Sequence, residues 1–291
     1  MSTRVVTDSG GGLSETEARL HGIDYLPLQV QIDDQTYLDG VNLSLNALYQ
    51  ALEEGKMPRT SLPPLGLIED LFEQYQKEGV TDIILITLSD GLSSTNQAVQ
   101  MAAREYGIKV HTTDIWTTLG VERYYALAAQ NLLEKGIPPE EIIARIEESA
   151  AKSRGYLMVD DLNHLAAGGR LTPLAAKLAG LLKIKPILAV GKATEGKVDQ
   201  YDKVRTLSKA VKKACDIVEG ELEPDTDYLF IVLDGKSPEA RIPLKRLEKM
   251  RPEAPVWQQP MYSVIACHTG LGSVGVQYVP RLKDEDLTGA L

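Results

Sequence analysis

Residues 82–96 read Asp-Ile-Ile-Leu-Ile-Thr-Leu-Ser-Asp-Gly-Leu-Ser-Ser-Thr-Asn. The unbroken apolar run Ile83 to Ile86 shows no alternation, the pattern of a strand covered on both faces within a parallel sheet. Past Thr87 the chain turns to hydroxyls, a carboxylate and glycine before a helical stretch over 93–106. In open α/β sheets, ligands bind outside the carboxyl ends of strands, where helix N-termini offer free N–H groups to anions. Five small polar side chains (Ser89, Ser93, Ser94, Thr95, Asn96) exceed what one helix cap requires, so this junction reads as functional.

The same alternation extends outward. Upstream, a β-branched strand over 4–7 ends in Asp8-Ser9-Gly10-Gly11-Gly12, and Ser14 and Glu17 stand at capping-box spacing at the head of a helix over 14–20. Strands are expected over 25–30 and 36–38, with helices over 44–54 and 65–77. Downstream come a strand over 109–113 and helices over 119–135 and 139–154. The fold class is therefore α/β, with residues 1–154 forming a parallel-sheet, three-layer N-terminal domain. Residues 155–291 read as a mixed-sheet C-terminal α/β domain. Its expected elements are a strand over 156–159, a helix over 164–182 broken at Gly168-Gly169, and a hairpin of 186–190 with 197–203. A helix over 206–218, a strand over 228–233, a helix over 238–250 and strands over 256–257 and 263–267 complete it.

Composition narrows the function. The 291 residues are 43% hydrophobic and 25% charged, as in ordinary globular domains, which excludes fibrous, disordered and disulfide-scaffold classes. A formal charge of −10 disfavours nucleic acid and leaves room only for transient membrane contact. Cys215 and Cys267 match no metal or redox spacing and suit a reducing compartment. No apolar run approaches the ~20 residues of a membrane span and no signal-peptide pattern stands at Met1, so a cytoplasmic protein is expected.

Motif chemistry is mostly negative. G-x-S-x-G, Walker and H-E-x-x-H patterns are missing. His268-Thr269-Gly270-Leu271-Gly272-Ser273-Val274-Gly275 contains a formal G-x-G-x-x-G, but only 16 residues follow, too few for a dinucleotide unit. Asp160-Asp161 lacks a third metal ligand. Four polar loops remain: Thr7-Asp8-Ser9, Thr60-Ser61, the 89–96 junction and the His268 loop. Turn chemistry explains the first as well as ligand binding does, and helix capping is the commoner reading of the second. A Ser93–His268 hydrolase acting on an acyl ester is one alternative, since triads follow geometry and not chain order.

Together these loops resemble the DegV family of bacterial fatty-acid-binding proteins, which includes the acyl-carrier subunits of a two-part fatty acid kinase. The resemblance rests on Thr7-Asp8-Ser9, Thr60-Ser61-x-Pro63, Leu88-Ser89-x-x-Leu92-Ser93-x-Thr95, Gly168-Gly169-Arg170, Lys203-Val204-Arg205 and the His268 loop, in order along the chain. It implies a long-chain fatty acid, of palmitate or oleate type, between two α/β domains. The carboxylate would meet Thr60, Ser61, Ser93, the Ser94 N–H, His268 and Thr269. Arg170 and Arg205, exposed near the pocket mouth, would contact a partner or the transferring phosphoryl group. The resemblance further implies a lipid-binding protein with no catalysis, cofactor or metal of its own, which presents the carboxylate to an ATP-dependent kinase subunit. Departures fall at Gly12, Leu62, Pro64, Ser94 and Leu271, while the hydroxyls assigned to the carboxylate persist. Arg59 is the one cation expected among the head-group loops.

Overall fold

The computed structural model describes residues 2–178, 180 and 184–287. Strand β1 (Ser2–Asp8) passes through a 3-10 turn into α1 (Glu15–Leu20), where Ser14 and Glu17 close the expected capping box reciprocally. There follow β2 (Asp24–Leu26), β3 (Gln29–Ile32), β4 (Gln35–Leu38), α2 (Leu45–Glu53) and β5 (Arg59–Ser61). Helix α3 (Leu65–Glu78) leads into β6 (Val80–Ile86), α4 (Thr95–Glu105), β7 (Lys109–Thr112), α5 (Gly120–Glu134) and α6 (Pro139–Lys152). The first sheet has the order β2-β1-β6-β7 and is parallel throughout. Ile83, Ile84, Leu85 and Ile86 are fully buried, as their uninterrupted run requires.

Two expectations fail here for local reasons. The strand expected over 25–30 is split at Pro27, which has no N–H to give a ladder. Asp24–Leu26 joins the parallel sheet, and Gln29–Ile32 joins a separate antiparallel sheet of order β4-β3-β5. Residues 59–61, read as loop, form β5, with Val30 opposite Thr60. Three paired residues are too few to show a period.

The second half comprises β8 (Arg154–Met158), α7 (Leu162–Ala167), α8 (Pro173–Ala176), β9 (Lys185–Gly191), β10 (Asp199–Val204), α9 (Leu207–Glu221), β11 (Tyr228–Gly235), α10 (Arg241–Met250), β12 (Val256–Pro260), α11 (Ser263–Thr269) and β13 (Ser273–Pro280). Its six strands run β10-β9-β8-β13-β11-β12, antiparallel except for β11 beside β12. The fold is α/β with a parallel N-terminal sheet and a mixed C-terminal sheet, as expected. The expected hairpin is β9–β10. The expected break at Gly168-Gly169 follows α7, and the helix expected to run on to 182 is reduced to the short α8; positions 179 and 181–182 of that expectation lie outside the described residues.

Two readings of the C-terminal part are corrected. Residues 263–267, expected as a strand, begin helix α11, since a short apolar run is equally compatible with a buried helix. Strand β13 lies between β8 and β11 in the sheet, although its first three residues, with Gly275 among them, fall in the expected His268 loop. Gly275 lets it lie close against β11, because an added Cβ would stand 2.8 Å from Leu233 Cδ1.

Helices α9 and α10 cover one face of the second sheet around Tyr156, Phe230 and Val276. The opposite face turns toward the first sheet, and one apolar cluster joins Ile84 and Ile86, α5 residues such as Tyr125 and Leu132, and Ile231 and Leu233. Gln277 Nε2 donates to Thr118 O across this junction at 2.9 Å. Among the described residues no helix is long and apolar enough to cross a membrane.

Candidate functional site

Where the two sheets face each other they leave a cavity of about 500 Å³. Leucines from both halves form much of its wall, including Leu28, Leu88, Leu119, Leu157 and Leu233, and Met261 and Val264 extend it. Thr60, Ser61, Ser93, Ser94, Arg170, His268 and Thr269 also border this cavity, although they come from four separate stretches of chain. Arg205 does not; it is exposed between β10 and α9.

Thr60 is held by the β3–β5 pairing and His268 by the last turn of α11, and the Thr60 hydroxyl lies 2.8 Å from His268 Nε2. Burial, reinforced by the Arg170 charge and partly offset by the Gly168 backbone, pushes His268 down to about 4. The imidazole is therefore neutral near pH 7. Its Nδ1 is buried beside Gly168 and, among the described residues, has no partner of hydrogen-bonding geometry; a Cβ at residue 168 would stand 2.5 Å from it. When Nε2 carries the proton, it donates to Thr60 Oγ1 and frees the Thr60 O–H for an anion in the cavity.

Ser93 Oγ lies 2.8 Å from Thr95 Oγ1 and accepts from the Thr95 N–H at 3.3 Å. Ser94 caps α4 by position only, with no side-chain bond to the first turn, so the positive end of this 11-residue helix opens beside the cavity. The Thr269 hydroxyl is engaged by Ser273 Oγ and the Gly270 carbonyl.

The cation at the site differs from expectation. Arg59 is exposed on β5, on the opposite side of the strand from Thr60. Arg170, expected exposed at the mouth, is half-buried in the cavity wall, its Nη1 donating to the Gly168 carbonyl at 2.9 Å. Asp90, which sequence reasoning did not single out, also lines the cavity, and burial together with Asp114 raises its pKa.

The Thr7-Asp8-Ser9 loop serves structure. Asp8 Oδ1 accepts from Gly10 N–H at 2.7 Å and Oδ2 from Leu88 N–H at 3.3 Å, while Ser9 Oγ accepts from Leu28 N–H at 3.1 Å. These bonds set Leu28 and Leu88, two residues of the cavity wall. Asp8 is fully buried with Glu122, a partner 114 residues on that sequence reasoning missed. Burial raises Asp8 to about 6, and burial with the Asp8 charge raises Glu122 well above the ordinary carboxylate range. At Gly12, a departure from the family pattern, the Tyr262 ring occupies the space a β-carbon would need.

The catalytic alternative lacks its geometry. Ser93 pairs with Thr95, His268 pairs with Thr60, and among the described residues no carboxylate hydrogen-bonds His268 Nδ1. Asp161 caps α7 and Asp160 pairs with Lys185; no metal-binding cluster occurs among the described residues.

A family profile described as an uncharacterised protein, DegV family, matches residues 2–281. A DegV domain-containing protein of Streptococcus pneumoniae is 31% identical, over 96% of this chain and 99% of its own. Among solved structures, a fatty acid binding DegV family protein from Streptococcus agalactiae superposes with a TM-score of 0.87 at 30% identity, covering 97% of this chain and 99% of that one. The fatty acid binding protein DegV from Bacillus subtilis gives a TM-score of 0.85 at 30% identity, covering 97% and 100%.

Proposed function

The chain belongs to the DegV family, and from that premise we propose that it binds one long-chain fatty acid in the cavity between its sheets. The carboxylate lies at Thr60, His268, Ser93 and the α4 N-terminus, and the tail runs along the leucine-lined wall. The observation that carries this reading is the Thr60–His268 contact at the edge of a mainly apolar cavity that also holds Arg170. A carboxylate leaving water needs several charge-assisted hydrogen bonds, and hydroxyls with an open helix N-terminus supply them. Each buried methylene adds roughly 0.8 kcal/mol, so a long tail provides most of the affinity.

In this reading residues 1–154 and 155–291 form the two walls, and the protein performs no chemistry alone. An ATP-dependent kinase partner transfers a phosphoryl group to a carboxylate oxygen, giving acyl phosphate and ADP. Arg170 and Arg205 face that event, as guanidinium suits phosphate. Residues 170–213 hold eleven basic against three acidic side chains in a chain of net charge −10, a local excess that favours an anionic partner. A cytoplasmic location, where ATP is available, fits the same reading.

Native mass spectrometry of the purified protein, repeated after denaturing extraction, tests it. An added mass matching a long-chain acid supports the proposal. Bare protein that also takes up no added acid refutes it.

A further inference from the structure

Leu119, the residue that caps α5, has φ 60 and ψ −131, outside the left-handed well that non-glycine residues with positive φ ordinarily occupy. Such a conformation is costly for any residue with a β-carbon and persists only where its surroundings over-determine it. Here they do. The Leu119 N–H donates to the Gly10 carbonyl at 3.1 Å, and the preceding Thr118 hydroxyl reaches the same carbonyl at 3.2 Å. Gln277 Nε2 grips Thr118 O from the second sheet, and Ser89 N–H donates to Thr117 O at 2.8 Å. Gly10 itself is wedged, since a Cβ there would stand 2.7 Å from Glu122 Oε2.

Glycine would adopt this conformation without penalty, and the very next residue, Gly120, is one. The chain instead keeps a four-carbon side chain at the strained position. That side chain is buried and borders the ligand cavity together with Leu233 and Gly275 of the second sheet.

We infer that Leu119 is a specificity-determining residue for the acyl chain, held by a strained turn so that its side chain limits the room open to the tail. This rests on the fatty-acid reading of the cavity. Shortening the side chain enlarges the tail space and moves the preferred acid toward greater length. The gain is about fourfold in affinity for each methylene newly accommodated.

The test uses full-length, lipid-stripped protein as wild type, Leu119→Ala and Leu119→Gly, titrated with laurate, palmitate and stearate. The stearate-to-laurate affinity ratio is expected to rise in both variants. Lipid-free Leu119→Gly is expected to melt above Leu119→Ala, because both lose the side chain while only glycine relieves the turn. Glycine also keeps the test alive if the alanine variant does not fold. Binding profiles that superpose on wild type overturn the inference and leave the fatty-acid reading intact. Wild type that binds none of the three acids refutes that reading itself.

Discussion

The Thr60 hydroxyl lies 2.8 Å from His268 Nε2, a contact that joins β5 to α11 across 208 positions of sequence. It ties the small three-stranded sheet to the helix that precedes the central strand β13. The same two groups border the cavity, so one hydrogen bond both closes the fold over long range and sits at the cavity edge.

Thr60→Val keeps the shape of the side chain and removes the hydroxyl. A hydrogen bond to a charged group contributes about 1.5–3 kcal/mol, so palmitate affinity is expected to fall by roughly ten- to a hundredfold. Equilibrium binding measures this, with a thermal melt to show that the variant is folded.

Gly168→Ala places a methyl group 2.5 Å from His268 Nδ1. The imidazole must shift from Thr60, and palmitate affinity is expected to drop about as far as in Thr60→Val. Combining both changes is expected to cost little more than either alone, since they break one unit. Fully additive losses would show that the two residues act separately.

Acid stability separates two buried systems of opposite sign. His268 is held near 4 in the fold against an ordinary 6.5, so between those values the unfolded chain binds more protons. Its contribution is present above about 6.5 and is lost as pH falls toward 4, by up to ~3 kcal/mol. Asp8 and Glu122 do the reverse: their raised values favour the protonated fold, and stability falls as pH rises from 3.8 through about 6 for Asp8. Urea unfolding at pH 7 and pH 5 is expected to show wild type losing ground to His268→Gln on acidification. Glu122→Gln, neutral at every pH, is expected to flatten the opposing slope.

Arg205 is exposed and stands apart from the cavity lining, whereas Arg170 is part of it. Arg205→Ala is expected to leave palmitate affinity within twofold of wild type and to slow acyl-phosphate formation in a reconstituted reaction with ATP and the kinase partner. Arg170→Ala is expected to affect both, and to raise the His268 pKa by removing a neighbouring positive charge, read by NMR titration.

Much of this architecture was legible from local pattern. The Ile83 to Ile86 run, the Ser14–Glu17 capping box and the β9–β10 hairpin each announce themselves within a few residues. What escaped depended on distant partners. Strand β5 exists because β3 lies beside it, α11 because its apolar run is enclosed on several sides, and β13 because Gly275 fits against Leu233. At the site, hydroxyls at strand–helix junctions could be found by their chemistry. Arg170 reaches the cavity only through the break after α7, and Asp8 meets Glu122 only because β1 packs on α5. The one local trace of that pair is a carboxylate in the first turn of α5, a helix of mostly buried residues.

The most direct test of the central claim compares palmitate with hexadecanol, equal in chain length, on lipid-stripped protein. Recognition of a carboxylate at Thr60 and His268 predicts that the acid binds at least tenfold more tightly, and that Thr60→Val narrows the difference. Equal affinities for acid and alcohol, or no binding of either, would contradict it.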